Sequence, residues 1–351
     1  MTVFYIIVAI LLFGLLILLH EFGHFITAKL SGVRVNEFAR FMGPAIWKKQ
    51  KGETLYALRC IPIGGYCAME GEDGDSDDPR AFGRAKLWKK LIILVAGSFM
   101  NFLTGFVIIL LLVAFSFGYI PSREIAEIAP ERPFAQHIQA GDSFYEIDGR
   151  RVYIQQDITL LLDRDTDGIH DITVIRNGEK VYLEDVPMQR DYVGEDGVAR
   201  YGFTIGAEEK SFSSVLSYSW NNCIDFVRMV PMSLGDLFSG RASVKDISGP
   251  VGIVDVVVEQ GTQAETVGIG MANVLYLFAF IAINLAVMNL LPIPALDGGR
   301  VVTLLLTSLI EKILGRKINP KYEAYLNGVF MILLMGLIVV IAFKDIFQLF
   351  R

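Results

Sequence analysis

Leu18-Leu19-His20-Glu21-Phe22-Gly23-His24-Phe25 closes a long apolar run that begins at Val3. The stretch holds an H-E-x-x-H pattern. Residues i and i+4 share one face of an α-helix, so His20 and His24 can grip one metal ion from successive turns. Glu21 then stands where it can take a proton from an attacking water. The pattern alone is short and can arise by chance. Its setting makes it informative, because ionisable groups in a hydrophobic helix are costly and usually have a role. The bland alternative is a pair of histidines at a helix end near lipid headgroups.

The composition suits a membrane chain. Of 351 residues, 53% are hydrophobic, above the roughly 45–50% of ordinary globular proteins. The net charge of −6 argues against nucleic acid as a partner. Cys60, Cys67 and Cys223 cannot build a disulfide framework. Cys60 and Cys67 fall in a loop expected in the cytosol, where thiols stay reduced.

Four runs reach the roughly 20 apolar residues that a bilayer crossing needs. They lie at about 3–26, 91–118, 268–291 and 327–348. The first has no basic leader and no small-residue cleavage site, so it is expected to be retained. Flanking charge sets the orientation. Lys48, Lys49, Lys51, Arg84, Lys86, Lys89 and Lys90 fill the first loop. Arg300, Lys312, Arg316, Lys317 and Lys321 fill the short loop before the fourth run. Both loops belong in the cytoplasm, and the long segment between runs two and three belongs outside with both chain ends. The fold class expected is a polytopic α-helical membrane protein of four transmembrane helices. It carries a β region near the membrane and one inserted α+β module.

Taken in order, residues 1–118 form the first membrane part, with a β region at 33–90. Gly32 to Trp47 is mixed and broken by Gly43-Pro44. Thr54 to Ile61 reads as a strand, broken by Pro62-Ile63-Gly64-Gly65-Tyr66. Backbone of this kind is tolerated at membrane depth only if protein buries it or it lines a wet cavity. An exposed edge there could pair with an extended peptide; an ordinary cytosolic hairpin is the other reading. Glu70 to Asp78 is acidic and of low complexity, which suits a solvated loop. Asp73, Asp75 and Asp77 alternate as in a calcium loop, but Asp78 stands where glycine is needed. Asp163, Asp165 and Asp167 fail similarly, because position twelve is Val174. Asn101, about three turns into the second run, suits either helix–helix contact or a polar role in the site.

Residues 119–207 read as a compact module of short strands, with Asp148-Gly149 and Asn177-Gly178 as hairpin turns. Tyr201 to Gly206 is a glycine-flanked strand that closes it. Residues 208–267 form a linker whose amphipathic stretch, 211–239, could lie in the membrane interface or pack on the module. Residues 268–351 form the second membrane part. There Pro292 and Pro294 break the third helix, leaving Asp297 on irregular backbone at the cytoplasmic side. Runs one and three point the same way, so Asp297 falls level with His20 and His24. Two histidines, one carboxylate and an open position make a catalytic zinc site. The alternative for Asp297 is a helix cap.

The anchors His20-Glu21-Phe22-Gly23-His24, Ile61-Pro62-Ile63-Gly64-Gly65-Tyr66, Gly249-Pro250-Val251-Gly252-Ile253 and Asn289 to Gly299 span nearly the whole chain. Together they resemble the site-2 protease family of intramembrane zinc metalloproteases, most closely its bacterial RseP-type, sigma-factor-activating branch. The resemblance implies that His20, His24 and Asp297 bind Zn2+ and that Glu21 is the general base. It implies that the β region around Thr54–Tyr66 is a membrane re-entrant hairpin that pairs with substrate. Tyr56, Leu58, Gly64 and Gly65 would contact substrate there, and Asn289 and Asn101 would tether its backbone. The soluble module then looks like a PDZ domain, with Tyr201, Gly202, Phe203, Thr204 and Ile205 at its peptide site. The family usually has Pro where this chain has Ser98.

The implied activity is cleavage within the membrane segment of single-pass substrates, as in regulated intramembrane proteolysis and stress responses. An anti-sigma factor trimmed by an upstream site-1 protease is one candidate; remnant signal peptides are another. The implied location is the bacterial inner membrane, multi-pass, with the catalytic centre toward the cytoplasm and the PDZ domain outside. A non-catalytic membrane receptor or scaffold that binds peptides through the module is the rival reading. Glu21 argues against it, since a structural metal has no need of a base.

Overall fold

The molecule is seen in a computed structural model, which describes residues 1–72, 74, 76–115, 118–129, 131–164, 167–193, 198–243, 249–315 and 321–349. Asp73 and Asp75 of the acidic run, Asp165, Ser248, Arg316 and Lys317 lie outside the described residues. The chain divides into two compact units. One is Met1–Ile108 with Val230–Arg351, and the other is Ile109–Met229.

Among the described residues four helices are long and apolar enough to cross a bilayer. They are α1 (Thr2–Ser31), α2 (Leu87–Phe115), α6 (Val267–Asn289) and most of α8 (Lys321–Leu349). The chain is therefore a polytopic helical membrane protein. Helix α1 is apolar from Val3 to Leu19 and carries the polar motif in its last third. Gly32 stops it by taking the left-handed conformation, φ 80°, and its N–H returns to the carbonyls of Ala28 and Lys29. Helix α8 exposes Ile332, Leu333, Val340 and Phe343, an apolar surface suited to lipid. Two shorter helices, α5 (Pro250–Thr262) and α7 (Asp297–Leu314), flank α6. Tyr5, Ala9, Val257 and Val274 form the core shared by α1, α5 and α6. The Gly249–Gly252 motif starts α5, and Gly252 N–H donates to the Asp345 carboxylate of α8 at 3.0 Å. A buried carboxylate at a helix N-terminus satisfies an otherwise orphaned donor.

Between α1 and α2 lie two long strands, β1 (Val35–Lys51) and β2 (Thr54–Met69). The sequence suggested a broken, mixed segment up to Trp47. The structure instead carries β1 straight through Gly43-Pro44. It absorbs the break with Phe41 at φ 69° and Gly43 at φ 83°, where the ladder shifts register. The pairing is double. Residues 37–40 pair with 68–65 on one side and with 55–58 on the other, while 47–51 pair back onto 58–54. The two strands thus fold into a ladder four segments wide.

The second unit is an α+β module. Its main sheet has the order β10 (Phe203–Glu208), β3 (Ile120–Ile128), β4 (Ser143–Ile147), β6 (Ile169–Arg176), β7 (Glu179–Pro187), with β5 (Arg150–Arg151) paired to β4. Helix α3 (Gln155–Leu162) crosses between β5 and β6. Two-residue strands β8 (Tyr192–Val193) and β9 (Ala199–Arg200) pair with each other. Phe134, Phe144, Ile147, Ile158, Leu162 and Val174 fill the core. The amphipathic stretch is helix α4 (Phe212–Phe238), and its first part belongs to this unit. It buries Tyr218, Ser219, Asn222, Cys223 and Phe226. Its Arg228 donates to Asp225 at 2.8 Å and pairs with Asp157 of α3 at 2.5 Å. That packing favours the soluble-helix reading for the N-terminal part of α4.

Candidate metal centre

Three side chains meet where α1, α2 and α7 converge. His20 and His24 stand one turn apart on α1, and their Nε2 atoms are 3.2 Å apart. Asp297, the first residue of α7, places Oδ2 at 3.2 Å from His20 Nε2 and 3.5 Å from His24 Nε2. Ligands about 2.0–2.1 Å from a tetrahedral zinc stand about 3.3 Å from one another. The donor triangle has those edges. Asp297 Oδ2 is buried with no hydrogen-bond partner, which is costly for an anion. A cation at the centre of the triangle removes that cost. The residues therefore fit a metal, and the donor set suits zinc with one position open.

Neighbouring groups fix the imidazoles. His24 Nδ1 lies 2.8 Å from the Ile93 carbonyl, so Nδ1 carries the proton and Nε2 is left bare. His20 Nδ1 faces the Asn101 amide at 3.2 Å. The atom facing His20 Nδ1 is the amide nitrogen, Asn101 Nδ2, while Asn101 Oδ1 is buried with no hydrogen-bond partner. Asn101 is fully buried. Its side chain is thus placed to orient His20.

The close approach of α2 depends on glycine. A methyl on Gly97 would stand 2.4 Å from His24 Nε2 and 2.7 Å from His20 Cε1. One on Gly23 would stand 2.4 Å from the Ala96 carbonyl oxygen. The loop before α7 is equally tight. Methyls on Gly298 and Gly299 would meet the carbonyl oxygens of Leu290 and Ile293 at 2.2 and 2.1 Å. Ala295 holds φ 75°, and its N–H donates to the Asn327 side chain of α8 at 3.2 Å. One turn beyond Asp297, Arg300 pairs with Glu72 at 2.5 Å.

Glu21 follows His20, and Gly65 packs beside it: a methyl on Gly65 would stand 3.5 Å from Glu21 Cγ. This changes where an extended peptide could pair. Thr54–Ile61 was expected to offer the edge. However, Leu55, Tyr56, Ala57 and Leu58 each have ladder partners on both sides, so Tyr56 and Leu58 present no open edge. Gly65, Tyr66 and Cys67 have a ladder partner on one side only among the described residues. Residues 47–51 form the other outer segment of the ladder, and the edge beside Glu21 is that of Gly65–Cys67. Gly64, at φ 74°, turns the chain into it. Asn289 is half-buried at the end of α6, and nothing in the geometry assigns it a contact with the three donors.

In the module, the Tyr201 hydroxyl donates to Asp163 at 2.7 Å and Gly202 takes φ 88° against the Arg132 side chain. Phe203, Thr204 and Ile205 pair with β3 through β10, the outer strand of the sheet path. Sequence reasoning passed over Gly97, Asn327 and the Glu72–Arg300 pair. Only Gly97 left a signal: Ala96-Gly97-Ser98 are small residues within an apolar helix, which mark close helix crossings.

The profile of peptidase family M50 matches residues 8–337. A Clostridium perfringens protein described as a zinc metalloprotease is 35% identical over 345 residues, covering 97% of this chain and 98% of the relative. One from Clostridium acetobutylicum, described in the same words, is 34% identical over 99% of this chain and 98% of its own length. The regulator of sigma-W protease RasP of Bacillus subtilis is 26% identical over 97% of this chain and 98% of its own length.

Proposed function

Because the chain belongs to peptidase family M50, we propose that it is a zinc metallopeptidase that cuts peptide bonds inside the membrane, with His20, His24 and Asp297 holding the ion. The donor triangle of 3.2, 3.2 and 3.5 Å carries this reading. Zinc there would supply Lewis acidity, polarising the scissile carbonyl and activating a water near neutral pH. Glu21 takes the water's proton and passes it to the leaving amine. The Ile93 carbonyl holds the His24 imidazole in the tautomer that leaves Nε2 bare, and the Asn101 amide holds the His20 ring from its Nδ1 side.

A membrane helix hides its amides in its own hydrogen bonds, so it must be drawn out before attack. The one-sided edge at Gly65–Cys67 offers replacement bonds to an extended chain beside Glu21. We read the β1–β2 ladder as the re-entrant hairpin and the second unit as a PDZ domain outside the membrane. We place the metal centre toward the cytoplasmic side of a bacterial inner membrane, which the basic loops favour. The substrates are single-pass membrane proteins already trimmed outside. An anti-sigma factor is the example suggested by the sigma-W regulator among the relatives, and remnant signal peptides are another. The scaffold alternative is not favoured by the family membership.

A Glu21→Gln variant tests the assignment. It should retain zinc, measured by metal analysis, and bind membrane-segment peptides, yet lose cleavage by about a hundredfold or more. Undiminished cleavage by that variant removes Glu21 from the mechanism.

A further inference from the structure

We propose that Arg40 is a specificity-determining residue that takes a carboxylate of the substrate beside the cleavage centre. The inference rests on the peptidase reading above. Arg40 lies on β1 as the ladder partner of Gly65, the residue packed against Glu21. Its face of the strand is that of Phe38, two residues earlier, which packs on Phe25 of α1. The side chain reaches up α1 until Nη2 is 3.3 Å from where a methyl on Gly14 would stand. Glycine at that position makes room for the guanidinium.

Arg40 has no carboxylate partner among the described residues. Its Nε is inaccessible to solvent and makes no hydrogen bond, and the guanidinium carbon sits 4.9 Å from the Phe41 ring centre. The other arginine of the ladder, Arg59, also has an unpartnered Nε, but its terminal nitrogens donate to Glu37 and to the Gly43 carbonyl, both at 2.6 Å. The residue that follows Arg40, Phe41, holds φ 69°, a conformation that bulky residues keep only where their surroundings enforce it. An unpaired cation beside an apolar helix is costly, and such groups mark substrate pathways.

Depth selects the ligand. Gly14 is eleven residues into the apolar run from Val3, about 16 Å along the helix, in the middle of a core about 30 Å thick. A headgroup phosphate does not reach that level, whereas a substrate strand does. Gly14 is six residues from His20, about 9 Å, or about three residues of extended peptide. The carboxylate should therefore lie about three residues from the scissile bond, on the side facing the N-terminal end of α1. It can be an Asp or Glu side chain or the free C-terminus of a trimmed substrate.

The test uses the full zinc-loaded chain in detergent with synthetic membrane-segment peptides. One series carries Asp or Asn at each of several positions around the cleaved bond. A second ends near the third residue beyond it, as free acid or carboxamide. The readout is the ratio of kcat/KM between acid and amide partners within each enzyme, so a general loss of activity cancels. Wild type should prefer the acid by about tenfold at one position. Arg40→Gln should bring that ratio to about one, and Arg40→Lys should keep part of it. The series that responds identifies side chain or terminus. A ratio near one everywhere in wild type, or an undiminished ratio in Arg40→Gln, overturns the assignment. If wild type cleaves no peptide at all, the peptidase reading itself fails and this inference falls with it.

Discussion

Replacing Gly97 by alanine adds one methyl group where α2 passes against the two imidazoles. That carbon would stand 2.4 Å from His24 Nε2 and 2.8 Å from His20 Nε2, against ordinary contacts of 3.4 Å or more. One or both imidazoles must retreat by about 1 Å, or α2 must move away by as much. Metal–ligand bonds tolerate errors of about 0.2 Å, so the displaced nitrogen no longer coordinates well. Disturbing a supporting residue that moves nothing costs about 10–100-fold in metal affinity. Displacing the donors themselves should cost about a hundredfold or more, roughly 2.7 kcal/mol. Helix propensity acts in the other direction, since alanine is better than glycine in a helix by about 1 kcal/mol. The fold should thus survive while zinc is lost. Zinc retained against a graded chelator measures the affinity, and thermal unfolding of the apoprotein reports the fold. Gly336→Ala is the control, because no atom lies within 4 Å of a methyl there. A Gly97→Ala protein that holds zinc as tightly as wild type would refute the steric argument.

Asn327→Ala removes the acceptor for Ala295 N–H and with it one restraint on the loop that delivers Asp297. The expected cost is about 1 kcal/mol in zinc affinity, near fivefold, read by the same chelator competition; no change would mean the loop holds its shape without α8. In the module, burial and then the neighbouring Asp157 push the Asp225 carboxyl up to about 8. The folded state therefore binds that proton more tightly than the unfolded chain, whose value is near 3.9. The stabilisation is complete below about pH 4 and is lost as pH rises through about 8. Hydrogen exchange of residues 120–208 in the full chain should show protection falling across that range, and Asp225→Asn should flatten the fall.

The helices were legible because apolar length is a direct physical requirement of the bilayer. The runs at 3–26 and 268–291 lie within or nearly within α1 and α6. The break after Asn289 follows from Pro292 and Pro294, which cannot continue a helix. The β1–β2 ladder was half legible. Thr54–Ile61 has strand composition, but Gly43-Pro44 reads as a stop. What the sequence does not announce is that a strand can cross such a stop when Phe41 and Gly43 take positive φ. The tertiary ladder enforces this, since residues on both sides of the break are paired. Local signals carry no information about such pairing partners, and strand composition alone does not show that residues 55–58 are paired on both sides.

The same distinction runs through the site. His20 and His24 were legible from helical periodicity alone, because four residues of one helix fix their relation. Asp297 needed a topological step, the shared direction of two spans, and that step succeeds because a bilayer restricts depth. Asn101 needed a rotation about the α2 axis, which neither depth nor periodicity supplies. The structure turns its amide onto His20, and that contact gives the residue a physical task independent of any substrate. It holds the His20 ring from the side opposite Nε2. Gly97 completes the argument, since α2 can bring Asn101 this close only where it has no side chain between itself and the two imidazoles. The conspicuous motif on α1 therefore depends on a plain stretch of α2: one glycine sets the distance, and one amide four residues later holds the His20 ring.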